Sequence, residues 1–300
     1  CGGVGLKPSR GRVSYGPMVD ENGYGLGQSF VQARTVRDAA AMLDCLAVPQ
    51  VGDPFPIPRP PASYATISRM KPPVLRIGWS TSALMGIETD KEVAGAVERT
   101  ANVLAKMGHE VSEESPEFDG LAAMRAMTDV WFFGFDLRLD GYAKRSGRAI
   151  GPDTLEPVIL MIYGYAKQMR PVQFLNALAA INTARRRLGR YFSKYDVWLS
   201  PTTPNVAEPW GTYNLGRTDV TMDNLTEKIF RGTCQFTLPH NIGGIPAISL
   251  PLYVHSTGLP IGIQLGSRPA TEHVILQLAA QLEEELPWNG RVPPLHVSAP

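Results

Sequence analysis

One stretch constrains this chain more than any other. Val74 to Trp79 is a short β-prone run, and Thr89-Asp90-Lys91-Glu92 spells a capping box. Val93, Ala96, Val97, Ala101, Leu104 and Met107 then recur at three- and four-residue steps, until Gly108 stops the helix. A second strand begins near His109. Strand, helix and strand in so little chain form a βαβ unit, which demands a parallel strand pair and a right-handed crossover. An all-helical or all-antiparallel fold is thereby excluded.

The rest of the chain extends that α/β pattern. Residues 35–47 read as a helix capped by Thr35, with Asp38 at its third position and Val36, Ala39, Ala40 and Leu43 on one face. Prolines crowd residues 48–73, so that segment is a surface connector. Residues 117–195 are helical in pattern, with Pro171 suited to the first turn of a long helix. Val197-Trp198-Leu199 reads as a buried strand. Ile248–Leu252 and Ile261–Leu265 read as two more, joined by a Ser256-Thr257-Gly258 turn, and a last helix covers about 270–285.

Composition excludes several functions. Twenty-nine Lys and Arg against 28 Asp and Glu leave a net charge of +1, without the basic surplus that phosphate neutralisation requires. The expectation is therefore no nucleic acid. No apolar run approaches the roughly 20 residues that span a bilayer, so no membrane is expected either. The cysteines, Cys1, Cys45 and Cys234, are odd in number and scattered, which fits a reducing compartment and a cytoplasmic location. The five histidines form no ligand pair at helical spacing, so neither a metal nor any other cofactor is expected. Apolar residues at 44% of 300 suffice for a substantial core.

Residues alone assemble no catalytic constellation. Gly2-Gly3-Val4-Gly5-Leu6-Lys7 lacks the spacing of a phosphate loop and reads as a tight turn with close backbone approach. Ser200, Thr202 and Thr203 follow a strand but have no His or Lys nearby in sequence, which fits turn formation. The run Arg185–Arg190 reads as a solvated face. Cys1 is a candidate amino-terminal nucleophile with its own α-amine as base.

Three separated stretches, taken together, resemble the amidase signature family. Cys1-Gly2-Gly3-Val4-Gly5-Leu6-Lys7-Pro8-Ser9-Arg10-Gly11-Arg12-Val13-Ser14 resembles the run that follows the family's catalytic serine. Arg34-Thr35-Val36-Arg37-Asp38-Ala39-Ala40, with Met42-Leu43-Asp44, resembles its next helix. Thr237-Leu238-Pro239-His240-Asn241-Ile242-Gly243-Gly244-Ile245-Pro246-Ala247-Ile248-Ser249-Leu250-Pro251, followed by Gly258–Leu265, is the longest match. Asp196 to Pro204 and Leu278 to Trp288 fit as well, so the resemblance runs from Cys1 to about Pro294.

That resemblance implies an α/β fold with a mixed, largely parallel central sheet flanked by helices on both faces. It implies that residues 1–300 are a single amidase-type domain lacking its amino-terminal portion. It further implies an amide-bond hydrolase using a Ser–Ser–Lys triad, with backbone amides holding the oxyanion. All three triad positions precede Cys1, so none maps onto this sequence, and Lys7 belongs to another motif. Cys234, Asn241 and Gly244 fall on the substrate side. Read without the family, Asn241 equally suits a turn and Cys234 a small core position. Two departures matter. Phe30-Val31-Gln32-Ala33 stands where the family often has Gly-Pro, and Cys234 stands where glutamine-using members carry an Asp that recognises substrate. The implied partners are a small-molecule amide and either a second copy of the chain or a separate amino-terminal half. The rival class is a non-catalytic amidase-like subunit or truncated remnant.

Overall fold

The computed structural model describes residues 2–55 and 57–292. Strand β1 (Val4–Lys7) and the two-residue β2 (Gln32–Ala33) open the chain. Helix α1 (Val36–Leu46) follows, its cap Thr35 accepting from the Asp38 N–H, and Val36, Ala39, Ala40 and Leu43 form its buried face as the periodicity requires. The proline-rich connector holds one short helix, α2 (Tyr64–Ile67), whose first N–H groups donate to the Asp44 carboxylate of α1 at 2.7 and 2.9 Å.

The βαβ unit forms as read: β3 (Arg76–Trp79), α3 (Lys91–Lys106) and β4 (Glu110–Glu113), with β3 and β4 parallel. Its cap differs from expectation. Asp90, not Thr89, accepts the Glu92 and Val93 N–H groups, while the Glu92 carboxylate binds the Ser256 N–H across the fold at 2.9 Å. Four helices then fill the 117–195 region: α4 (Gly120–Phe132), α5 (Phe135–Ser146), α6 (Pro157–Gln168) and α7 (Pro171–Lys194). Strand β5 (Val197–Pro201) is buried throughout. A π-helical turn (Thr226–Phe230), α8 (Arg231–Cys234) and α9 (Leu238–Gly243) lead into the hairpin β6 (Ala247–Val254) and β7 (Pro260–Ser267), and α10 (Glu272–Glu285) ends the set.

All seven strands form one sheet in the order β2-β1-β6-β7-β5-β3-β4. The sheet is mixed, but the parallel share is the smaller one: only β3–β4 and β3–β5 run parallel. The pairs β1–β2, β1–β6, β5–β7 and the hairpin β6–β7 are antiparallel. Strand alternation splits the core into two faces. Val4, Leu6, Ile77, Val197, Leu199, Ile248, Leu250, Ile263 and Leu265 meet α1, α3 and α10 on one side. Trp198 projects from the other, where it joins Tyr191, Phe192, Phe236 and Ile245. Val4–Lys7 is thus a strand, not the tight turn read from its glycines. Close approach does occur there, since a Cβ on Gly3 would lie 3.2 Å from the Ala33 carbonyl. Among the described residues no helix is long and apolar enough to cross a membrane.

Candidate functional site

Helix α9 ends because residue 244 must turn left-handed. Gly244 has φ +64°, and its N–H and that of Ile245 donate back to the carbonyls of Asn241 and His240. The same glycine admits a neighbour. Its carbonyl accepts the Arg10 N–H at 3.0 Å, and a Cβ at this position would stand 3.1 Å from the Arg10 Cβ. Arg10 therefore lies against the helix end, and its Nε donates onward to the Gly25 carbonyl at 2.5 Å. One residue on, Asn241 Nδ2 donates to the Leu26 carbonyl at 2.6 Å. Arg185 of α7 completes the arrangement, its Nε donating to the Ile242 carbonyl at 2.7 Å. That guanidinium satisfies one of the carbonyls a helix end leaves open. Arg185 is thus half-buried and hydrogen-bonded, not a member of a solvated face.

Asn241 thus bonds the loop at residues 25–26 directly, and Gly244 reaches it only through Arg10. Cys234 stands one short segment away. It packs in the same apolar cluster as Leu26, Met85, Trp131, Phe230 and Ile242. Its sulfur lies 3.5 Å from Thr233 Oγ1, and burial pushes its pKa up, so the group is a neutral thiol. Leu26 links the three positions: its carbonyl answers to Asn241 and its side chain shares the cluster with Cys234.

Charge at this site is unbalanced toward the positive. Burial and the Arg10 charge lower the Arg185 pKa to about 10, and burial lowers that of Arg10, with Glu21 opposing from 3.8 Å. Lys7 Nζ donates to the Pro8 carbonyl at 2.9 Å. Burial first, then Arg10, depress its pKa to about 7, against a weaker pull from Glu272. His240 is fully buried and stacked on Trp198 at 5.3 Å, and burial followed by the Lys7 charge lowers its pKa to about 3. The neutral ring puts Nδ1 3.0 Å from the Phe236 carbonyl as donor. That leaves a lone pair on Nε2, a buried atom without a hydrogen-bond partner.

Among the described residues no serine is hydrogen-bonded to a lysine or histidine. Ser200 is buried, donates to the Pro201 carbonyl and receives Gln264 Nε2. Thr257 Oγ1 does meet His255 Nδ1 at 2.8 Å, with His255 Nε2 3.3 Å from Glu92. The same Nδ1 also accepts the Thr257 N–H at 3.1 Å, which makes the set a closed turn at the tip of the β6–β7 hairpin. Eight residues of strand, about 25 Å, separate it from Gly244. The Cys1 candidate lies outside the described residues, as do Pro293 and Pro294 at the far limit of the resemblance. No three His, Cys, Asp or Glu side chains among the described residues converge as a metal site needs.

Sequence reasoning missed Arg10, Arg185 and Gln235. Gln235 is fully buried, and its Oε1 accepts the Met85 and Ile87 N–H groups while its Nε2 donates to the Ile87 carbonyl. Gln235 stands between Thr233 and Thr237 and gave no signal; Arg10 gave none either, and Arg185 was read with the solvated run, because the partners of both arginines are distant carbonyls.

A family model described as Amidase matches residues 1–276. The 6-aminohexanoate-cyclic-dimer hydrolase of Paenarthrobacter ureafaciens is 34% identical over 307 residues, covering 98% of this chain and 61% of that protein. An acylamidase of Rhodococcus erythropolis is 26% identical, over 98% of this chain and 59% of that one. A solved structure of 6-aminohexanoate cyclic dimer hydrolase with substrate superposes with a TM-score of 0.91 and 30% identity, over 98% of this chain and 62% of the other. The chain thus spans about three fifths of the length of the relatives it matches.

Proposed function

The chain belongs to the amidase signature family, and on that premise we propose that the protein hydrolyses a small carboxylic amide to the acid and ammonia or an amine. One observation carries the reading: the family match over residues 1–276, which coincides with a superposition over 98% of the chain. The chemistry we propose is that of the family's Ser–Ser–Lys triad, supplied by residues outside 1–300. The first serine attacks the amide carbonyl carbon, and its proton passes through the second serine to the neutral lysine. Backbone amides hold the oxyanion. Collapse breaks the C–N bond as the nitrogen takes up the proton, and water then releases the acid from the acyl-serine.

Within this scheme residues 1–300 supply one wall of the pocket, with Cys234, Asn241 and Gly244 on the substrate side. The neutral Cys234 thiol offers no anion to a substrate ammonium, which favours neutral amides over amino-acid amides. A small-molecule amide is the proposed partner, and the cytoplasm the proposed compartment.

The test compares two proteins, the 300-residue chain and one extended at its amino end, by ammonia release from simple amides. Turnover is expected from the extended protein alone. Robust turnover by the 300-residue chain that survives serine-directed inactivation would overturn the triad, and its loss in Cys1→Ala would transfer the role to Cys1.

A further inference from the structure

The loop that Arg10 and Asn241 hold is also the wall of a cleft. Residues 18–24 form one side, and the junction of α4 with α5, residues 131–138, forms the other, enclosing about 960 Å³. That volume is at the upper end of the range for small-molecule sites. Most of its lining is aromatic or apolar, with Met18, Tyr24, Trp131, Phe133, Phe135 and Leu137 among the residues that face it, beside the polar run 20–22 and Arg138. Met18 is 86% exposed and Leu137 71%. Single exposed apolar residues are ordinary, but a continuous set across a cleft marks a binding surface.

The wall is rigid at a cost. Gly23, Tyr24 and Gly25 have φ of +55°, +55° and +77°. A tyrosine in that region is strained and persists only where its surroundings over-determine it. Here they do. Arg10 Nε holds the Gly25 carbonyl and Asn241 Nδ2 holds the Leu26 carbonyl. The Tyr24 ring meets Phe174 of α7 edge-on at 5.0 Å, and Phe174 stacks on Phe133 at 4.6 Å. A Cβ on Gly23 would stand 2.8 Å from Trp131 Nε1, so the two walls touch at the cleft floor.

Of the three charged residues that line the cleft, Asp20 is exposed, and Arg138 and Glu21 have partners. Arg138 Nη2 donates to the Trp131 carbonyl at 2.9 Å and its guanidinium lies over Phe135, while Glu21 faces Arg10. Aromatic walls select a ring over an alkyl chain, because offset and edge contacts add to area burial. The cleft adjoins the candidate site through Trp131, which lines it and packs in the cluster of Leu26 and Cys234.

We propose that this cleft receives the aromatic arm of a neutral amide, with loop 18–24 as the specificity wall and Arg10 and Asn241 as positioning residues. The proposal rests on the amide-hydrolase reading for the word amide, and on the cleft for the ring. Titration calorimetry of the 300-residue chain with 4-phenylbutanamide, hexanamide and the ketone 5-phenylpentan-2-one tests it. Both phenyl compounds are expected to bind about fivefold or more tightly than hexanamide. Leu137→Glu, a change at an exposed position, is expected to weaken them at least tenfold with an unchanged melting temperature. Asn241→Ala is expected to bring the ratio of phenylbutanamide to hexanamide affinity toward one. A merely structural role would lower both affinities together.

Equal affinities, or binding indifferent to Leu137→Glu, overturns the proposal. So does phenyl binding that vanishes in an amino-terminally extended protein, since another protein segment then fills the cleft. Phenyl binding to an extended protein that cleaves no amide leaves the cleft standing and removes the amidase reading. Amide cleavage without preference for the ring does the reverse.

Discussion

Glu272 joins residues more than 250 positions apart. Fully buried at the start of α10, it accepts the Ser9 N–H at 2.9 Å and both Nε and Nη2 of Arg12 at 3.2 Å. Removing one partner of such a pair leaves a buried charge uncompensated, a loss of about 3–5 kcal/mol. Glu272→Ala is therefore expected to lower the urea midpoint steeply, and a shift worth under about 1 kcal/mol would refute the pair's importance. Lys7 makes the opposite contribution. Its proton is held up to about 10.5 in the unfolded chain but only to about 7 in the folded one, mainly because burial disfavours the charge. Between those values the unfolded state binds more protons, so stability rises with pH across the window and the penalty is complete below about 7. Melting temperatures of the parent chain should climb from pH 7 to 10 more than those of Lys7→Met. Parallel curves would show that Lys7 is solvated. Neither role was visible in the sequence, where Glu272 is one acid in a helical pattern and Lys7 one residue of a motif.

Elements were readable where local periodicity decides them. Helices α1 and α3 bury the residues that their three- and four-residue steps select, and β5, β6 and β7 form at the apolar runs read as strands. Caps were less readable, because two adjacent residues compete for the role. Asp90 won over Thr89 by accepting two N–H groups. Asp90→Ala is expected to cost about 1 kcal/mol, and Thr89→Ala less, by thermal melting. An equal loss for the two would restore Thr89 as the cap. Helix α9 was read as a motif, not a helix, since six residues carry too little periodicity. Its end depends on Gly244, where Gly244→Ala meets both a positive φ and the Arg10 side chain. That variant should lose about 1–3 kcal/mol and also loosen loop 25–26, detectable as faster amide exchange at Leu26.

At the scale of the molecule, stability is uneven. The core against α1, α3 and α10 contains the central strands, whereas α5 buries none of its twelve residues fully. Amide exchange should be slowest in β5, β6 and β7 and fastest among the helices in α5, because local opening there exposes little apolar surface. Slow exchange throughout α5 would show that another surface covers it. The sheet itself corrected the expectation of a mainly parallel arrangement. The βαβ unit accounts for the parallel β3–β4 pair, and nothing in it reveals that β5 would lie between β3 and β7, parallel to the first and antiparallel to the second.

Amphipathic spacing, short apolar runs and the joint motifs from Cys1 to Trp288 determined by themselves the fold class, most elements and the family. Each of those signals is local or additive, so a linear reading recovers it. The tertiary structure alone decided that Arg10 and Asn241 hold loop 25–26, that Arg185 closes α9, and that Glu272 ties Ser9 and Arg12 to α10. Those contacts join backbone carbonyls and charges far apart in sequence, and any polar side chain of suitable reach would serve. Strand order and the buried, low-dielectric surroundings select the partner, and neither is written in the spacing of residues along the chain.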